Sequence, residues 1–141
     1  MATTATPLST PAVAALPSPK QQFLDAYEKE HATTLRVLRA YPRDKADLKP
    51  HPKVKTAREL AWVFVAERML GKMVFANALA SGMPSVEGPK IPESFDAVVD
   101  AYDQAHEEFA ELVRSTPDDK LFEHVKFFTG PKTLGDVTRL E

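Results

Sequence analysis

Two short patterns carry the side chains best suited to chemistry. Glu28-Lys29-Glu30-His31 and Asp103-Gln104-Ala105-His106 each set a carboxylate three residues before a histidine. On a helix, that offset brings both side chains near one face. Glu67 adds a carboxylate just beyond the apolar run Leu60-Ala61-Trp62-Val63-Phe64-Val65-Ala66. An ionised group among apolar neighbours is costly unless it is paired, protonated or coordinated. Carboxylates and imidazoles converging from facing helices could hold a pair of metal ions in a bundle core. Helical phase weakens that reading. Asp103 follows Tyr102 onto an acidic flank and Glu28 follows Tyr27 away from the apolar stripe, so His31 and His106 read more simply as hydrogen-bonded boundary residues. Glu67 and His31 remain as candidate metal ligands. His51 and His124 lie in irregular segments with no second ligand at useful spacing and are expected to face solvent.

Other reaction classes find little support. The chain has no cysteine, which excludes disulfides, thiolate metal sites and a cysteine nucleophile, and fits a cytoplasmic protein. No Gly-x-Ser-x-Gly elbow is present, and five glycines are too few for dinucleotide or phosphate-loop motifs. A net charge of −2 creates no global field to recruit nucleic acid or an anionic membrane surface. No apolar segment approaches the roughly 20 residues needed to span a bilayer.

Three helices must position the candidate residues. Ser18-Pro19-Lys20-Gln21 opens the first with a Ser cap and Pro at the first helical position. Phe23, Tyr27, Thr34, Leu38 and Tyr41 form its inner stripe, widened by Leu24, Leu35 and Val37, and Pro42 ends it. The second helix starts at a Thr56-x-x-Glu59 capping box and is expected to run to Ser81, with Gly82 and Pro84 as its stop. Leu60, Val63, Leu70, Val74 and Ala78 predict its inner face, with Glu67 on that face. The third runs from Pro92 or Ser94 to Arg114, with Phe95, Val98, Val99, Tyr102, His106, Phe109, Leu112 and Val113 inward.

The connections are less regular. Residues 1–18, rich in Ala, Thr, Pro and Ser, read as a disordered tail ahead of one domain over 19–141. Arg43, Lys45, Lys49, Lys53, Lys55 and Arg58 make a basic loop, for which solvation is the simpler account because no glycine-rich cradle accompanies it. From Leu121 to Phe128 neither a helical nor a strand period is clean. Thr133-Leu134-Gly135-Asp136 then looks like the start of a fourth helix. The expected fold is therefore an all-α up-down bundle, three long helices plus the start of a fourth. Its open groove would suit a partner helix or a second copy in a homodimer.

Lys49-Pro50-His51-Pro52-Lys53-Val54-Lys55-Thr56-Ala57-Arg58-Glu59-Leu60-Ala61-Trp62 resembles the entry to the second helix of DinB/YfiT-like proteins. Leu38-Arg39-Ala40-Tyr41-Pro42 agrees with the end of their first helix. Leu121-Phe122-Glu123, leading to Gly130-Pro131-Lys132-Thr133-Leu134-Gly135-Asp136, looks like their approach to the last helix. The resemblance covers residues 19–137 and implies a four-helix bundle with one divalent metal, Zn, Ni or Fe, on three histidines. One ligand would come from the second helix, in a His-x-x-x-Glu pattern, and two from the last. Such a metal would polarise a substrate or activate a bound water or thiol in a hydrolase or thiol-dependent transferase. In this chain Val63 stands at the second-helix ligand position and Glu67 matches the motif's Glu. The last-helix histidines are absent, so the sequence reads as cut short before that helix. Three readings follow. One is a DinB-like protein without metal catalysis. Another is a metal enzyme, acting on a small-molecule substrate, whose longer natural chain supplies the metal's ligands. The last is a non-enzymatic interaction or dimerisation module.

Overall fold

The computed structural model describes residues 14–82 and 88–141. Residues 14–18 have no regular secondary structure and are exposed. The rest of the expected tail, and Pro84 with its stop signal, lie outside the described residues.

Helix α1 (Pro19–Ala40) begins where Ser18 Oγ accepts the Gln21 amide, and its chain turns extended at Tyr41 ahead of Pro42. Helix α2 (Ala57–Phe75) carries both halves of the Thr56/Glu59 capping box. Helix α3 (Phe95–Ser115) is capped by Ser94 on the Ala97 amide. α3 is the central element. It packs against both α1 and α2, which make few contacts with each other. The reason lies in its pattern: Phe95, Val98, Val99, Tyr102, Ala105, His106, Phe109, Ala110 and Val113 are all buried, a stripe wide enough to serve two neighbours. One core layer joins Leu35, Leu38, Ala61 and Val65 to the first half of α3. A second joins Leu24, Phe75 and Leu121 to its second half.

α2 departs from expectation in length and in phase. It ends at Phe75, and a 3₁₀ turn over Ala78–Ser81 follows. The break is Asn77, whose φ of 53° is left-handed, a conformation that Asn tolerates better than most residues. Its Oδ1 accepts the Lys126 amide at 3.0 Å, so the kink is tied down from outside the helix. Gly82 ends the second turn, not the helix. The expected inner face is also corrected. Ala61 and Val65 are buried, whereas Leu60 is 52 % and Val63 37 % exposed, and the Glu67 side chain is 57 % exposed. Residues 60–66 are apolar nearly all round, so their spacing suits two faces, and α3 takes the one whose small Ala61 and Val65 allow close approach. Val37, expected on the α1 stripe, likewise faces out.

The fourth helix does not form at Thr133. After a short turn of helix, α4 (Asp118–Leu121), strands β1 (His124–Gly130) and β2 (Thr133–Thr138) make an antiparallel hairpin. Val125, Phe127, Phe128 and Val137 favour a pleated surface, and Pro131 and Lys132 form the turn. A bulge at Thr129 lays its side chain over Gly135, where a Cβ would collide with it. The described fold is thus mostly helical with a small two-stranded sheet. Among the described residues no helix is long and apolar enough to cross a membrane.

Candidate functional site

The two carboxylate-histidine patterns meet across the seam between α1 and α3. Their contacts show why: Glu28 lies against His106 and His31 against Asp103, so the helices run antiparallel. The same three-residue offset read in opposite directions sets each histidine opposite the other helix's carboxylate. His31 Nε2 lies 2.8 Å from Asp103 Oδ1. His106 Nε2 lies 3.1 Å from Glu28 Oε2, close, but with too poor an alignment for a hydrogen bond. Each carboxylate also meets an arginine at the surface, Asp103 with Arg39 at 3.3 Å and Glu28 with Arg114 at 3.2 Å.

Between these flanks the aromatic rings form a column. The His31 and His106 rings are stacked, with centroids 3.6 Å apart and planes 10° from parallel. Tyr27 stacks on His106 at 4.4 Å, and Tyr102 leans on His31 at 4.9 Å. Arg68 reaches over from α2, its guanidinium 5.3 Å from the Tyr27 ring centroid and 5.1 Å from that of Tyr102. Both imidazoles are buried, His106 completely.

Burial, partly offset by the Glu28 carboxylate and reinforced by the adjacent His31, holds the His106 imidazole below the ordinary histidine value. Burial raises the Tyr27 phenol against the pull of Arg68. The buried side-chain polar atoms without a hydrogen bond, among the described residues, are Tyr27 Oη, His31 Nδ1, Arg68 Nε and both nitrogens of His106. They all belong to this column and its arginine cover. A fully buried His106 is out of reach of a substrate. What the arrangement can do is hold a neutral imidazole beside a carboxylate at the seam.

The candidate ligands are not gathered together. Glu67 pairs loosely with Arg68 at 3.6 Å and rims an open pocket of about 440 Å³ with Leu70, Gly71, Phe109, Phe127 and Val137. Parallel stacked rings hold their in-plane lone pairs side by side, so His31 and His106 do not converge on one ion in this arrangement. Among the described residues, three ligand atoms come within 4.8 Å of one another only at Glu28, His106 and Glu107. Glu107, next to His106, carries no spacing signal in the sequence. The signal that could have found the crossed pairs is the equal offset in two helices of opposite direction. Val63 offers no lone pair, so the residues present do not fit the three-histidine site the resemblance implies. His51 and His124 are exposed as expected. Within the basic loop, Arg43 binds Asp96 and the Leu38 and Tyr41 carbonyls, and Arg58 binds Asp47 and the Pro92 carbonyl, so both arginines fasten the loop to the fold.

Compared with family models, curated proteins and solved structures, the chain matches none.

Proposed function

We propose that this chain is a DinB/YfiT-like helical protein that acts by association through α2, without the metal catalysis that resemblance implies. One observation carries the reading. The residue at the motif's ligand position, Val63, lies exposed on the surface of α2 together with Leu60 and Phe64. An aliphatic side chain cannot coordinate a metal, and neighbouring exposed apolar side chains on one helix are the composition of a contact surface. The apolar pocket bounded by Leu70, Val74, Phe109 and Phe127 lies further along the same helix. The partner on this face is a second copy of the chain. The absence of cysteine is in keeping with a cytoplasmic setting.

The test is the association state of the whole chain in a concentration series, by sedimentation equilibrium or light scattering. The expected result is a dimer at tens of micromolar. It should shift to monomer in a Leu60→Lys, Val63→Lys variant whose helical circular dichroism is unchanged. A monomer throughout the series, or a dimer indifferent to both substitutions, overturns the reading.

A further inference from the structure

We propose that Glu28, His106 and Glu107 form a binding site for one divalent cation of the zinc class on the seam between α1 and α3. This site is separate from the α2 face and does not depend on the association proposed for it.

Three features support it. The first is convergence: each residue offers a ligand atom within 4.8 Å of the other two, from two different helices. The second is the state of His106. Its ring is fully buried, neither nitrogen is hydrogen-bonded, and Nε2 is directed toward Glu28. A buried imidazole nitrogen whose one polar contact is poorly aligned is incompletely satisfied, and an ion coordinated between it and Glu28 would complete it.

The third feature is the distance between those two atoms. The 3.1 Å from Nε2 to Oε2 is poorly aligned for a hydrogen bond. Zinc ligands of both kinds sit about 2.1 Å from the ion, and two such ligands 3.1 Å apart subtend about 95° there, between octahedral and tetrahedral angles. The placement that aligns poorly for a hydrogen bond thus makes an acceptable pair of ligands.

The surroundings fit the assignment and limit its strength. Arg114 binds the other oxygen of Glu28, Oε1, which fixes the carboxylate and leaves Oε2 toward His106. Tyr27 and His31 stack on either face of the His106 ring and hold its orientation. The positive charge of Arg114 opposes a nearby cation, so affinity should be micromolar in order rather than that of a structural zinc centre. One imidazole with two carboxylates suits Zn²⁺, Co²⁺ or Ni²⁺ better than Ca²⁺ or Mg²⁺, which prefer oxygen throughout. Three protein ligands leave a position for water.

The experiment is calorimetric titration of the chelator-treated full chain with Zn²⁺, repeated with Co²⁺ to read the visible spectrum. The expected result is one ion per chain and a higher melting temperature with metal. Glu107 is exposed, so Glu107→Gln should leave the melting temperature of the metal-free chain unchanged and weaken binding at least about tenfold. A His51→Ala, His124→Ala variant should bind as the parent does. Three outcomes overturn the proposal: no binding up to millimolar Zn²⁺, binding unaffected by Glu107→Gln, or binding lost with the two exposed histidines.

Discussion

The buried His106 makes a sharp forecast about acid stability. Its folded-state pKa lies below the ordinary histidine value, chiefly through burial. The unfolded chain therefore takes up a proton that the fold refuses. Stability from this group is intact above about pH 6.5 and is lost as pH falls below it. One pH unit below that point the loss is at most about 1.4 kcal/mol for a single group. Glu59, Glu108 and Glu123 are held below their ordinary 4.5 by hydrogen bonds, to Thr56, Lys72 and Lys120 respectively. Their contributions are present above about pH 4.5 and fall away below it, so they leave the window between pH 7.5 and 5.5 largely clear. The assay is urea unfolding of the chelator-treated chain at pH 7.5 and 5.5. With a slope of about 1–3 kcal/mol per molar urea, the midpoint should drop, by no more than roughly 0.5–1.4 M. His106→Gln cannot titrate and should remove most of that pH dependence. If the variant loses as much stability between the two pH values as the parent, the imidazole is not held neutral by its surroundings and the reasoning fails.

Two further outcomes concern the ends of α2. Thr56→Ala removes the side-chain acceptor of the Glu59 amide, 3.2 Å away, and should lower stability by about 1 kcal/mol in the same urea assay. Asn77→Ala forces a left-handed alanine and leaves the Lys126 amide without its acceptor, for a loss of about 2 kcal/mol; Asn77→Gly keeps the backbone conformation and should lose less. Hydrogen exchange at Lys126 should quicken in both variants.

The sequence by itself determined where the three long helices begin. Ser18, Thr56 and Ser94 each supply a side-chain acceptor for an orphan amide, a local bond that needs no tertiary partner. It also determined the inner stripe of α3, because a clean 3.6-residue period in a strongly two-sided helix leaves one way to bury it. For α2 the period of Leu60, Val63 and Leu70 points to the wrong inner face, since residues 60–66 are apolar nearly all round and only the closeness of α3 chooses Ala61 and Val65. The two strand segments were illegible for a similar reason. Thr133 to Asp136 carries a helix-start pattern, but pairing with β1 satisfies its backbone in a hairpin instead.

The candidate site shows the same division. The equal offsets of Glu28 to His31 and Asp103 to His106 are written in the sequence. Antiparallel packing of α1 on α3 made partners of residues some 75 positions apart, exchanged the two carboxylates and stacked the rings. Spacing along one helix fixes which side chains share a face. Only the register between helices decides what that face meets.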